Sequence, residues 1–377
     1  MKTPILASLM PRILCTVTND LTYDQRMIRI CGSLARAGYE VLLVGRRRPA
    51  SRPLRKEPFE QKRLSCFFDK GKLFYLEYNL RLFFFLLATP FDVVCSVDLD
   101  TILPGFLSSR IKGKPCVYDA HEYFTEVPEV VRRPAVKRIW EGVARFTIPR
   151  LAYAYTVGPG LARLLEERYG TPFAVIRNVP LPIAGPPKSP EPTAGAPIIL
   201  YQGALNEGRG LEWAIEAMQE VEGAVLWLAG EGDLSANLRR RVQELGLESK
   251  VQFLGFIPPN ELQALTSKAY IGLNLLENKG LSYYYSLANK AFDYIQAGVP
   301  SLNMAFPEYI QLQQEFGVFI LLESLSAPAI SRAIDGLLRD EEKYQRIRSN
   351  CLEAGKSLNW EKEEKRLLAF YQQISLP

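Results

Sequence analysis

The strongest constraint on this chain is a repeating alternation of short continuous apolar runs with stretches of helical spacing. The first half offers "RILCTV", "EVLLVG", "RLSCFF", "DVVCSV", "PCVYDA", "AYAYTV" and "FAVIRN" as strand candidates. The second half offers "PIILYQG", "AVLWLAG", "VQFLGF", "YIGLNLL", "VPSLNM" and "GVFILLE". Many of these runs stay aliphatic or β-branched throughout, as strands covered on both faces do. Between them, segments such as "LEWAIEAMQEV" and "LANKAFDYIQAG" have the spacing of helices. The pattern predicts an α/β chain with two doubly wound domains.

Seven prolines fall within "VPLPIAGPPKSPEPTAGAP", residues 179–197. That composition breaks helices and strands, so 181–197 is read as a linker between a domain at 1–180 and a domain at 198–357. The closing stretch "NWEKEEKRLLAFYQQI" is amphipathic, with Trp360, Leu367, Leu368 and Tyr371 able to share one side. The six cysteines include no CxxC pair and read as small buried side chains rather than disulfides or zinc ligands. "ILASLM" near the start is too short for a secretory signal, and "LFFFLLATPF" is too short to span a bilayer, which takes about 20 residues. A cytoplasmic protein is expected.

Charge is distributed unevenly. Residues 1–180 carry 28 Lys and Arg against 17 Asp and Glu, net +11, whereas residues 181–377 carry 18 against 24, net −6. A basic half suggests an anionic partner for the first domain. No RNA- or DNA-binding motif accompanies that charge, so nucleic acid is not expected. "KGKLFYLEYNLRLFFFLL" (70–87) mixes aromatic and cationic residues as an interfacial helix on an anionic leaflet would, although a buried helix has the same make-up.

In open α/β sheets, ligands sit beyond the carboxyl ends of the strands, so the residues just after each run carry the functional reading. After the first run come Asn19 and Asp20, either a turn-and-cap pair or a binding loop, with a helix starting near Tyr23 or Asp24. The GxGxxG of a dinucleotide site is absent there, which argues against a nicotinamide enzyme. "YDAHEYF" holds the single histidine, His121, followed by Glu122, at a strand end. In the second half, "YQGALNEGRGLEW" sets Gly203, Gly208 and Gly210 around Arg209 before a helix, a combination suited to phosphate. "LAGEG" makes a tight loop at Gly230, Glu231 and Gly232, near a nucleotide. In "SYYYSLANKAFDYIQAG", Ser286 can cap a helix that opens with Asn289 and Lys290. Lys290 and Asp293 then share a face: the cation suits a diphosphate, and the carboxylate suits two ribose hydroxyls.

Taken together, "NDLTYDQRM", "GYEVLLVGR", "YDAHEYFTEVPE", the glycine loop before Arg209, "LAGEG", "VQFLGF", "NKAFDYIQAGVP" and the closing helix make the chain resemble GT-B glycosyltransferases of the retaining family 4, the glycosyl transferases group 1. The resemblance implies two Rossmann-like domains facing a central cleft, with helix 358–377 returning to the first domain. It implies that Arg209 binds the donor diphosphate with Lys290, that Asp293 binds the ribose, and that the base docks at the backbone of Phe256 and Ile257. His121 contacts the donor sugar near the reacting carbon and is expected to be neutral. The catalytic set is thus His121, Arg209 and Lys290. The donor-binding set adds Gly203, Glu231, Phe256, Ile257, Asn289 and Asp293, and Asn19, Asp20 and Glu122 are acceptor-side candidates. Two positions depart from the family pattern: Ala204 stands where a second arginine is common, and Tyr285 where a glutamate is common.

The expected partners are a nucleotide-sugar donor, a lipid-linked or saccharide acceptor and an anionic membrane surface. No cofactor and no metal is expected, although Asp98 and Asp100 in "VDLD" leave a metal reading open. The alternatives are a sugar-nucleotide epimerase or hydrolase of the same fold, or a non-catalytic nucleotide-sugar-binding protein.

Overall fold

The structure is a computed structural model that describes residues 11–183 and 195–376. The central part of the expected linker, 184–194, and the apolar stretch within 1–10 lie outside the described residues. The chain divides into two compact units, Met1–Arg177 with Glu364–Pro377, and Asn178–Glu363.

Unit 1 holds a seven-stranded sheet of β1 (Arg12–Thr16), β2 (Glu40–Arg47), β3 (Glu60–Ser65), β4 (Val93–Val97), β5 (Cys116–Ala120), β6 (Tyr153–Thr156) and β7 (Ala174–Val175). Their order is β3-β2-β1-β4-β5-β6-β7, and every pairing is parallel. Unit 2 holds β8 (Ile198–Gln202), β9 (Val225–Ala229), β10 (Val251–Gly255), β11 (Ile271–Asn274), β12 (Ser301–Met304) and β13 (Phe319–Leu322). That sheet runs β10-β9-β8-β11-β12-β13, again all parallel. Both orders reverse once, between β1 and β4 in unit 1 and between β8 and β11 in unit 2. Crevices for ligands form at such reversals, beyond the carboxyl ends of the strands.

The central strands are fully buried, which explains their uninterrupted apolar sequence: β1, β4, β5, β8 and β11 show almost no exposed residue. Two strands differ from expectation. β3 starts three residues before "RLSCFF" and stops at Ser65, because it is a half-exposed edge strand, "EQKRLS", stabilised by pairing with β2 rather than by apolar content. β7 is reduced to two residues at the opposite edge.

The helix Gly71–Ala88 is apolar on both sides. Phe74, Tyr78, Leu82 and Leu86 are buried, four apart, while Leu73, Leu76, Leu80 and Phe84 on the other face are exposed. The helix Trp360–Gln372 contributes to both units, and Trp360, Leu367 and Tyr371 are buried along it. Within unit 1, Tyr371 lies 6.4 Å from the Tyr39 ring and Phe370 lies 5.2 Å from the Tyr155 ring. All six cysteines are free, and all but Cys66 are buried. Among the described residues no helix is long and apolar enough to cross a membrane.

Candidate functional site

In unit 1, the residues after β4 and β5 converge. β5 ends at Ala120 and delivers His121. β4 ends at Val97 and delivers Asp98, whose amide donates to the Asp119 carbonyl at 2.9 Å. Asp98 has φ of 58°, a conformation that a non-glycine residue adopts at a cost and that recurs at functional sites. Its Oδ2 lies 2.6 Å from His121 Nδ1. The Asp98 side chain is 12% exposed and that of His121 is 42% exposed, so the carboxylate is sheltered while the imidazole still reaches solvent.

This pair changes the expected state of the histidine. Burial disfavours the imidazolium, but the Asp98 charge, its hydrogen bond and nearby Glu122 outweigh that and push His121 up to about 10. The imidazole is therefore held charged at neutral pH, not neutral as the sequence reading expected. Asp100, two residues on, is buried and next to Asp98, and its carboxyl is pushed up to about 8. The Thr18 hydroxyl, just beyond β1, donates to Asp100 at 2.6 Å. Beneath them, buried Asp119 pairs with Arg26, and burial raises the Asp119 carboxyl even against that guanidinium.

One ligand atom each from Asp98, His121 and Glu122 falls within a 4.8 Å cluster, which a divalent cation could share. Asp100 accepts from Thr18 instead and is not one of the three residues of that cluster. The Asp98 oxygen nearest the imidazole is engaged in the ion pair, and its other oxygen is buried without a hydrogen-bond partner.

Asn19 and Asp20 are used by their own turn. Asn19 accepts from the Leu21 amide at 3.0 Å and donates to Asp24 at 2.5 Å. Asp20 accepts from the Thr22 amide and hydroxyl, both at 3.0 Å, and from Ser51 at 3.2 Å. Burial works against the Asp20 charge, yet these bonds and Arg63 hold its carboxyl below the usual range. Asp24 caps the helix Gln25–Arg36 by accepting from the Met27 amide.

In unit 2 the cations come together. Gly203 follows β8 with φ of 132°, and a Cβ there would stand 3.3 Å from Lys290 Nζ, so the glycine keeps that approach open. Lys290 Nζ lies 3.8 Å from the centre of the Tyr201 ring, and the Arg209 guanidinium lies 4.9 Å from that of Tyr283. Burial pushes the Lys290 ammonium well below its ordinary value, and the Arg209 charge pushes the same way against the pull of Asp293. Arg209 also acts on Tyr201, so both cations share that tyrosine's surroundings. Gly210, at φ of 66°, starts the helix Leu211–Ala217 where a side chain would strike the Leu275 carbonyl.

The remaining donor-side candidates separate. Asp293 accepts from Gln202 at 2.9 Å. Asn289 accepts from Asn178 at 2.8 Å and opens the helix Asn289–Ala297. Ser286 does not cap that helix: the cap position is Ala288, and the Ser286 hydroxyl donates to the Tyr283 carbonyl at 2.8 Å. Glu231 forms an exposed ion pair with Arg239 at 2.6 Å. Phe256 is 57% exposed beyond β10, whereas Ile257 packs on the core of its own unit. Tyr285 is half-buried, edge-on to Tyr284 at 5.2 Å.

Four participants escaped the sequence reading in these roles: Asp98 as the partner of His121, and Tyr201, Gln202 and Tyr283. "VDLD" was visible after a strand, but its pairing with a residue 23 positions later depends on β4 and β5 being neighbours in the sheet.

Comparison with known proteins follows the same division. Residues 25–183 match the family model described as Glycosyltransferase Family 4, and residues 196–340 match that described as Glycosyl transferases group 1. A lipopolysaccharide core biosynthesis glycosyltransferase from Rhizobium meliloti is 35% identical over 63 residues, 17% of this chain and 18% of that protein. A 2-deoxystreptamine glucosyltransferase from Streptomyces kanamyceticus is 25% identical over 238 residues, 56% of this chain and 59% of that protein. These matches therefore span less than two thirds of either relative. The crystal structure of Anabaena HepE in complex with UDP-glucose superposes with a TM-score of 0.75 at 14% identity, covering 96% of this chain and 99% of that one.

Proposed function

We propose, from the premise that this chain belongs to the group 1, family 4 glycosyltransferases and has their GT-B fold, that it moves a sugar from a nucleotide-sugar donor to a lipid-linked or saccharide acceptor. The observation that carries this reading is the convergence of Arg209 and Lys290 on the surroundings of Tyr201. The Arg209 charge opposes that of Lys290, and a diphosphate between them relieves that repulsion. When the bond between the sugar's C1 and the diphosphate oxygen breaks, negative charge grows on the departing phosphate, where Arg209 and Lys290 stabilise it. No metal is needed for that role. The acceptor hydroxyl forms the new bond on the face the phosphate leaves, its proton passes to a phosphate oxygen, and configuration is retained. His121, as an imidazolium backed by Asp98, donates a hydrogen bond to the donor sugar. Asp293 receives ribose hydroxyls, and Phe256 and Ile257 flank the base.

UDP-sugars are the first donors to test, given the UDP-glucose bound by HepE. Release of free sugar or transfer to lipopolysaccharide-type acceptors, measured across UDP-, GDP-, ADP- and dTDP-sugars, checks the reading. Turnover that depends on His121 supports it. Ala204 and Tyr285 favour a second reading, a nucleotide-sugar-binding protein without turnover, and nucleotide binding with no sugar release by the wild type selects it.

The reading extends to a surface on unit 1. The exposed face Leu73, Leu76, Leu80 and Phe84 lies beside Phe67, which is 89% exposed, and Phe68. Glu77 on the same helix accepts from the amides of Phe67 and Phe68 at 2.9 and 3.0 Å, and Arg81 lies 5.2 Å from the Phe67 ring centre. This clamp fixes two aromatic side chains outward, next to exposed Lys70 and Lys72. An apolar face bordered by cations suits an anionic bilayer. Co-flotation with phosphatidylglycerol vesicles at low salt is expected, and absence of binding removes the membrane reading.

A further inference from the structure

We propose that Gln202 is a positioning residue that sets the Asp293 carboxylate for recognition of the donor's ribose. The inference rests on the reading of Asp293 as the ribose ligand. Gln202 is the last residue of β8 and is 2% exposed. Its Nε2 donates to Asp293 Oδ2 at 2.9 Å, and its Oε1 accepts from the Thr266 hydroxyl at 2.7 Å. Thr266 ends the helix Pro259–Thr266 and is 1% exposed. A carboxylate accepts hydrogen bonds but cannot donate them, so the amide must turn its NH2 to Asp293 and its carbonyl to Thr266. The Thr266 hydroxyl also lies 2.7 Å from the Leu262 carbonyl, so its one proton is shared between that carbonyl and Gln202, and it is the Asp293 carboxylate that sets the orientation of the amide.

A buried amide is costly unless both of its ends are satisfied, and an apolar side chain of similar volume would fill this position without that demand. What the amide adds is a directional bond from the end of a central strand to the helix Asn289–Ala297. The bond restrains rotation of the Asp293 carboxylate about its own side-chain torsions. Two ribose hydroxyls form a paired donor with a set separation, so they gain from a carboxylate whose plane is held in advance. Gly203, next in sequence to Gln202, opens the approach to Lys290, so one strand end sets both the carboxylate and the room beside the ammonium.

The test measures affinity for UDP and 2′-deoxy-UDP by calorimetry, with the matching GDP and ADP pairs, on wild type, Gln202→Met, Gln202→Leu, Thr266→Val and Asp293→Ala. Gln202→Met is expected to weaken binding of the ribonucleotide about tenfold, to leave the deoxynucleotide nearly unchanged, and so to erase most of the preference between them. Thr266→Val is expected to shift the same ratio in the same direction by less, and it covers the case in which Gln202→Leu fails to fold. A general loss of packing would lower both affinities together and leave the ratio intact. If Asp293→Ala abolishes the preference while both Gln202 variants keep it, the positioning role is overturned and the ribose reading stands. If Asp293→Ala itself keeps the preference, the ribose reading is overturned and the role of Gln202 with it.

Discussion

The two units share the order of six strands, to which unit 1 adds the short edge strand β7, and differ in what that order displays. At the strand ends of unit 1 stand Asp98, Asp100, Asp119 and Glu122 around a single imidazole. At those of unit 2 stand Arg209 and Lys290 against tyrosine rings. The sign of each cluster is opposite to the net charge of its half, +11 for residues 1–180 and −6 for residues 181–377. Net charge therefore says little about the chemistry of a site. In unit 1 the surplus cations lie instead in exposed segments such as Arg47–Lys56 and beside the helix Gly71–Ala88. Charges at strand ends are few, and several of them, such as Asp98, Asp100 and Asp119, are buried and act at short range in a low dielectric. Surface charges are many, screened within about 8 Å at physiological salt, and suited to steering.

Removing the cationic half of the contrast should have the largest effect. Arg209→Ala is expected to lower kcat/KM by roughly 10²–10³-fold, read in steady-state donor turnover. The same change should lift the Lys290 ammonium toward its ordinary value, because the Arg209 charge helps to depress it. Nucleoside diphosphate affinity should then persist to higher pH in the variant than in the wild type, where loss of the Lys290 proton begins earlier.

Removing the support of the imidazole should cost less. Asp98→Asn takes away the carboxylate that raises His121 to about 10, and the imidazole should fall toward about 6.5. Wild-type kcat/KM is expected to show no His121 step between pH 6 and about 8, while the variant loses roughly tenfold as pH rises through neutrality.

A further effect concerns stability rather than turnover. With its carboxyl raised to about 8, Asp100 binds a proton in the folded protein that the unfolded chain releases above about 4. Its contribution is therefore favourable at low pH and is lost as pH rises toward 8. Asp100→Asn mimics the protonated form and can still accept from Thr18, so its melting temperature should match the wild type at pH 5 and exceed it at pH 9. Equal melting temperatures at pH 9 would mean that the fold carries an ionised Asp100 at no cost, with its carboxyl in the ordinary range.

Most of the architecture was legible because buried parallel strands need long apolar runs, and every quoted run coincides at least in part with a strand. The exceptions have physical reasons: β3 is a polar edge strand held by its neighbour, and the chain at β7 pairs for two residues only. The cations of unit 2 were legible for a different reason, since glycines flanking an arginine and a lysine opening a helix are local signals. The protonation of His121 was not legible, because it depends on Asp98 being carried beside it by an adjacent strand. Gln202 was hidden too, as a polar residue at the end of an apolar run looks like the end of that run.

One helix, Trp360–Gln372, gives its first residues to unit 2 and the rest to unit 1, although unit 1 otherwise consists of the opening stretch of the chain. On the ribosome, then, the N-terminal sheet emerges well before the segment carrying Leu367 and Tyr371 that completes its interior. Unit 1 must wait, with part of its apolar surface uncovered, until the whole of unit 2 has been translated. Chaperone dependence during synthesis should accordingly fall on the half of the protein that is made first.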